Sequence, residues 1–445
     1  MTRPEPRSYF AATASFATGE DSPREFLERC IAKIEAGDGE VGAFVAVNPD
    51  AARAAADEAS ARWKDGRPLS AIDGMPVGIK DIMETADMAT EQGSPLFAGW
   101  EGGRDAAAVA ALREAGAVIL GKTVTTEFAA TEPRGTRNPW DLTRTPGGSS
   151  SGSAASVACG MVPAALGTQV IGSILRPSSY CGVFGFKPSV GGINRGGSFD
   201  VFSQSCTGTI AATVDETWVV AREMSARCGG DPGYPGVSGP MVRPAARRPG
   251  RIAVLETAGW EVAGDAAKGA FASVRERLEA AGIECADRRS DETVAGVEDA
   301  IADAVPLARS VNAWETRWPL NTYAKDMDRS GLSEVSTDRL AEAEGMTQEQ
   351  YLGLLADRDR ARAAWAGLAG SCEICITLGA TGPAPVGLDS TGDPVFNVPA
   401  SLLGIPALTM PVMEVDGLPL GLQAMGFVNQ DAALFGAAAG LLTVL

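Results

Sequence analysis

A lysine closing an apolar run and two serine-bearing, glycine-rich loops are the parts of this chain whose residue types and spacing suit chemistry. The run MPVGIK ends at Lys80, where a low dielectric would depress the amine's pKa and supply the neutral form a general base must have. The stretch TPGGSSSGSAAS, residues 145 to 156, carries Ser149, Ser150, Ser151, Ser153 and Ser156. A second loop, GTQVIGSILRPSSYCGVFGFKPS, spans residues 167 to 189 and holds Ser173 directly after Gly172. A serine in a turn rich in exposed N–H groups is suited to attack a carbonyl beside an oxyanion hole. The composition narrows the chemistry further, because the chain contains no histidine. Ser-His-Asp and Cys-His catalysis are excluded, as is any zinc site that depends on imidazole. Each feature also has a plain structural reading. Lys80 could be a strand-end lysine reaching toward solvent, and the serine run could be a flexible linker.

Other motif matches fail on context. Residues 116 to 123, GAVILGKT, fit the phosphate-loop pattern, but the four free positions are AVIL, which reads as a buried strand followed by a Gly-Lys turn. GSSSG, centred on Ser150, fits a nucleophile elbow, which normally works with a histidine. No Ser-x-x-Lys precedes any lysine. Cys372 and Cys375 lie on an apolar stretch with no second cysteine pair, so they read as core thiols rather than metal ligands.

The elements that must position Lys80 and the serine loops alternate between strand and helix. Residues 22 to 36 read as an amphipathic helix capped by Ser22, and residues 50 to 64 as another capped by Asp50. GMPVGIKD is a buried strand ending at Lys80, residues 105 to 115 a helix, and AVIL (117 to 120) a strand. VPAAL, the helix 215 to 226, RIAVLE and the helix 265 to 282 continue the alternation. Residues 289 to 369 are helical and charged. Strand signals return at EICITLGA and IPALTMPV, with an Asp416-Gly417 hairpin leading to LPLGLQAMG. The serine run leads straight into the small-residue helix SAASVACG, which disfavours a linker. The expected fold is α/β: a single large domain, residues 1–445, with a mixed central sheet covered by helices on both faces. Within it, 65–215 is the expected catalytic core, 289–369 the helical substrate-pocket region, and 370–445 the strands returning to the sheet.

With 45% hydrophobic and 21% charged residues, the balance is that of a globular protein with a large core. A net charge of −18 argues against a nucleic-acid surface. The 8 cysteines are scattered, without the density of a secreted disulfide scaffold. The N-terminal residues lack an apolar signal region, and the longest apolar tract, about fourteen residues near the C-terminus, is too short to span a bilayer. A cytoplasmic protein with no membrane partner is expected.

Several stretches together resemble the amidase signature family of serine hydrolases. They are GMPVGIKD, DAAAVAALREAGAVILGKT, TRNPWDLTRTPGGSSSGSAA and GTQVIGSILRPSSYCGVFGFKPS, then GPAPVGLDSTGDPVFNVPASLLGIPALTMPV and LPLGLQAMG. The resemblance covers residues 65 to 215 and 370 to 445 and is weaker between them. It implies that Ser173 is the nucleophile, Lys80 the base, and Ser149 a bridging serine with a cis peptide bond. It implies an oxyanion hole from the backbone N–H groups of Val170, Ile171, Gly172 and Ser173, with Arg176, Ser150 and Thr168 as substrate-binding or supporting residues. The activity implied is hydrolysis of a small carboxamide, a short acidic (malonamate-like) or ureido amide among the options, with no metal and no cofactor. A homodimer is expected; a further option is an accessory subunit. The alternatives are an amidase subunit of a larger amidotransferase and an inactive binding protein on the same scaffold. Gln169 stands where the family often has Asp and, with the one-place shift of Arg176, reads as a variant of the family loop. Val170 and Ile171 motivate the inactive reading. Ile171, bulky and β-branched two residues before Ser173, would crowd the acyl pocket or distort the oxyanion hole if its φ had to be positive. Arg176 has two readings: a guanidinium fork for a substrate carboxylate, or a buried arginine paired with a core carboxylate.

Overall fold

In the computed structural model, which describes residues 3–445, the two ends of the chain build one sheet. Its strands are β1 (Phe44–Val47), β2 (Pro76–Lys80), β3 (Val118–Thr123), β4 (Ala164–Gln169), β5 (Phe184–Lys187), β6 (Cys206–Ala211), β7 (Arg251–Val254), β8 (Glu284–Ala286), β9 (Cys375–Leu378), β10 (Ala407–Val415) and β11 (Leu418–Met425). The 11 strands lie in the order β1-β3-β2-β4-β6-β5-β10-β11-β9-β7-β8. The sheet is mixed: β2 runs parallel to β3 and β4, β7 runs parallel to β8 and β9, and the remaining pairings are antiparallel.

Strand alternation explains why both faces of the sheet are covered. Successive residues of a strand point to opposite faces. Ile252 and Val254 of β7, and Leu422 and Ala424 of β11, join one apolar core. Their neighbours Ala253, Leu255 and Met425 join a second core, with the helices Glu292–Ala300 and Gln348–Ala366 packed into it. Strands buried on both faces read as continuous apolar runs, which is why MPVGI and AVIL are legible. β1, β5, β6 and β8 are not. CTGTIA of β6 is fully buried yet carries threonines and a glycine, so no apolar run marks it.

Local signals place most elements and misplace two details. Ser22 caps the helix Pro23–Val41 by accepting the Glu25 N–H. The helix Pro49–Lys64 is capped by Asn48, not Asp50, because the Asn48 side chain accepts the Ala51 N–H and leaves Asp50 in the first turn. Gly121 and Lys122 do not turn, as β3 continues through them to Thr123. A Cβ at Gly121 would lie 2.5 Å from the Ala46 carbonyl oxygen, so the glycine there permits close approach of β1 rather than a turn. The hairpin at Asp416 and Gly417 has φ of 53° and 77°, the left-handed pair of a type I′ turn.

Candidate active site

The parallel trio β3-β2-β4 brings its carboxyl ends to one edge, where α/β sheets commonly bind ligands. Lys80 is the last residue of β2 and is fully buried. Its Nζ lies 2.7 Å from Ser149 Oγ, 2.7 Å from Thr168 Oγ1 and 3.3 Å from the Thr168 carbonyl oxygen. Burial lowers its pKa to about 7, with the Asp200 carboxylate acting in the opposite direction. A neutral amine has two N–H donors and one lone pair. Ser149 Oγ and the two Thr168 oxygens are all within reach of Nζ as acceptors; in a neutral amine with both N–H groups on Thr168, the lone pair would face the Ser149 hydroxyl.

The Gly148–Ser149 peptide bond is cis. The loop around it is tied at several points. Thr126 N–H donates to the Ser149 carbonyl at 3.3 Å, Ser150 N–H to the Ser173 carbonyl at 3.2 Å, and Ser150 Oγ to the Thr168 carbonyl at 3.2 Å. Gly147 has φ of +82°, and a Cβ there would lie 2.8 Å from Pro177 Cα, so this turn has room only for glycine. The helix that follows, Ser151–Ala158, is buried along its whole length.

Ser173 sits in the turn between β4 and the helix Leu175–Cys181, on the wall of a cavity of about 500 Å³. Gln169 holds this turn from inside. Its Oε1 accepts the Ile174 and Leu175 N–H groups at 2.9 and 3.0 Å, and its Nε2 donates to Ser401 Oγ at 3.0 Å. Ser401 Oγ in turn donates to the Ile171 carbonyl at 3.0 Å. The N–H groups of Val170, Ile171, Gly172 and Ser173 donate to no protein acceptor among the described residues. Ile171 does not have a positive φ, so the backbone objection to a β-branched residue there falls. Its side chain packs against the second apolar core. No hydrogen bond joins Ser149 Oγ to Ser173 Oγ among the described residues; the structure brings Lys80, Ser149 and Thr168 together, with Ser173 on the adjoining turn.

Arg176 lines the cavity but lacks the carboxylate partner that the second reading of it expects. Its Nε donates to the Thr391 carbonyl at 2.6 Å, and its Nη2 to the Gly148 carbonyl at 2.8 Å and to Thr391 Oγ1 at 2.9 Å. No carboxylate forms an ion pair with it among the described residues, so the expected core partner is replaced by carbonyls. Burial lowers its pKa to about 10. The guanidinium bridges the serine loop to the segment around Thr391. Among the described residues no group of three or more Cys, Asp and Glu side chains is arranged to hold a metal ion.

Sequence reasoning does not single out Thr391, Asn312, Arg309, Arg339 or Asp200. It marks Gln169 only as a departure from the family pattern. No local signal distinguishes these residues, because each reaches the site from a distant segment or through an unpatterned loop.

Fold and site together define an α/β protein with a histidine-free serine–lysine constellation at the carboxyl edge of its sheet. The family model Amidase matches residues 25–435, and the chain belongs to that family of carbon–nitrogen hydrolases. A glutamyl-tRNA(Gln) amidotransferase subunit of Anaeromyxobacter sp. (strain K) is 33% identical, the match covering 97% of this chain and 94% of the relative. The solved peptide amidase of Stenotrophomonas maltophilia superposes with a TM-score of 0.80 at 25% identity, covering 97% of this chain and 95% of its own. A chain from an inhibitor-bound vestigial complex, described as revealing the evolutionary origins of an s-triazine catabolic enzyme, gives a TM-score of 0.86 at 26% identity over 98% of each chain.

Proposed function

We propose that the chain hydrolyses the C–N bond of a small carboxamide through an acyl-enzyme on Ser173, releasing an acid and ammonia or an amine. Neutral Lys80 takes the proton of Ser149, Ser149 takes that of Ser173, and Ser173 Oγ bonds to the amide carbon. The carbonyl oxygen becomes the oxyanion and takes N–H groups from residues 170 to 173. The relay then runs backward to protonate the leaving nitrogen, and water releases the acid from Ser173. The observation that supports this reading is the contact of buried Lys80 with Ser149 and Thr168; as a neutral amine it would give its N–H groups to Thr168 and turn its lone pair to the Ser149 proton. In the proposed reaction Ser149 Oγ approaches Ser173 Oγ when substrate binds, since catalytic hydrogen bonds tighten in the complex. The test is labelling with a fluorophosphonate combined with an ammonia-release screen over acidic, aromatic, aliphatic and ureido amides. Labelling confined to Ser173, with turnover lost in Ser173→Ala, supports the reading; an unlabelled Ser173 sinks it.

A second reading is favoured by the relatives named as amidotransferase subunits. On that reading the released ammonia passes to a partner protein, and turnover appears only when the partner is added. The inactive-scaffold reading loses its backbone argument, since the φ of Ile171 is not positive.

A further inference from the structure

The cavity beside Ser173 carries positive charge that the proposed reaction does not use. Arg309, on the helix Ala304–Asp326, and Arg339, on the helix Glu334–Gly345, line it together with Ser173 and Asn312. Neither guanidinium forms an ion pair or a hydrogen bond among the described residues.

The helix that carries Arg339 is anchored at its start. Ser336 Oγ donates at 2.5 Å to the fully buried Glu127, which also receives Ser333 Oγ and, at 3.0 Å, the guanidinium of Arg134. Arg339 lies three residues beyond Ser336, on the same side of the helix. Burial lowers its pKa, Glu342 opposes that shift, and the charge of Arg309 adds to it. The partly buried Arg339 thus has the like charge of the exposed Arg309 near it, an arrangement that an anion between them would relieve. The acidic groups on the same wall do not fill that role. Glu342 and Asp389 are exposed, and Glu132 lies 3.9 Å from Arg134. Asn312 sits three residues beyond Arg309 on one helix face, is 4% exposed, and its Oδ1 has no hydrogen-bond partner. A buried amide oxygen left unpaired on a cavity wall awaits a donor.

We propose that Arg339 and Arg309 bind a free carboxylate of the substrate while Asn312 Oδ1 accepts a substrate N–H, so that the substrate class is a short amide or ureide bearing a carboxylate. For the reaction this rests on the Ser173 amidase reading; for binding it does not. The cavity of about 500 Å³ suits a small molecule and excludes a polymer from full enclosure. Arg176 takes no part in the discrimination, because two of its nitrogens are committed to carbonyls and to Thr391.

The experiment has a kinetic and a binding arm on the full chain. Ammonia release is measured with succinamate and glutaramate against the neutral amides butyramide and succinamide. The wild type prefers the acids in kcat/KM, and Arg339→Gln raises KM for them about tenfold or more while kcat/KM for butyramide stays within about twofold. Arg309→Gln, a change at an exposed position, acts in the same direction and guards against a folding defect in the other variant. Equal activity of the wild type on acids and neutral amides, or equal loss on both in Arg339→Gln, overturns the proposal. Calorimetry with succinate and glutarate reads the binding without turnover. Binding that weakens in both variants supports the site, and unchanged binding overturns it. If Ser173 is not labelled by a fluorophosphonate yet the dicarboxylates bind through Arg339, the amidase reading fails and the carboxylate site stands.

Discussion

The Nζ of Lys80 lies 2.7 Å from the Oγ of Ser149, inside a fully buried pocket whose other acceptors both belong to Thr168. In the proposed reaction this contact sets the pH dependence of turnover. Lys80 has a pKa of about 7 in the folded chain against 10.5 when free. Only its neutral form has a lone pair for Ser149, so kcat/KM on a neutral amide is expected to rise through about pH 7 and level off above it. A profile flat from about pH 6 to 9 would count against Lys80 as the base. The stability sign is the same. Between the two pKa values the unfolded chain binds the proton and the folded chain does not, so the cost of burying Lys80 is full below about pH 7 and falls as pH rises toward the free value. Lys80→Met is expected to abolish turnover and raise Tm, most clearly at the acid end.

Asp200 tunes that lysine. Its carboxylate is buried, accepts the Ser198 hydroxyl at 2.7 Å, has Oδ2 unpartnered, and favours the charged form of Lys80. Asp200→Asn is expected to move the acid limb of the pH–rate profile to lower pH with little change in the plateau. A limb that stays in place, measured on the same neutral amide, would show that Asp200 does not act on Lys80.

Arg176 joins the Gly148 carbonyl to Thr391, so its loss is expected to disturb the serine loop whatever the substrate. Arg176→Gln should lower kcat for acidic and neutral amides alike, by about a hundredfold if the buried carbonyls are left unpaired. A rise in KM confined to acidic amides would instead restore the substrate-fork reading.

Gln169 should prove as important as its neighbours on the turn. Gln169→Leu strands the N–H groups of Ile174 and Leu175 and frees Ser401, and each stranded group costs about 1–3 kcal/mol. The expected result is a lowered Tm and slowed fluorophosphonate labelling of Ser173. Full labelling rate at unchanged Tm would remove Gln169 from the positioning role.

Gly152 tests the packing of the serine-loop helix. A Cβ there would lie 2.1 Å from the Ala43 carbonyl oxygen and 2.4 Å from Val124 N, both backbone atoms that cannot swing away. Gly152→Ala is expected to destabilise by about 1–3 kcal/mol or more, read from chemical denaturation. A neutral result would mean that the serine-loop helix can shift away from Ala43 and Val124 freely.

Much of this is legible from local pattern. Lys80 is marked by the apolar run before it, because a strand buried on both faces admits few polar residues. The serine run declares itself as structure by leading directly into a helix of small residues. Arg176 is visible as a charged residue near Ser173, but its partners are not. The carbonyls of Gly148 and Thr391 leave no mark in residue type, so a carboxylate is the natural guess. Gln169 looks like a departure, and its function as a clamp emerges only once Ser401 is brought beside it.

The amino-acid order settles the inventory: no imidazole, a lysine at a strand end, two serine loops, and a turn of the kind that exposes N–H groups. These follow from residue type and near-neighbour spacing, which govern strand period, capping and turn conformation. Folding settles how far Lys80 is desolvated, which carbonyls Arg176 holds, and that Arg309 and Arg339 meet on the cavity wall near Ser173. Those are distances between segments far apart in the chain, and they come from packing two apolar cores onto one sheet, which no local pattern encodes.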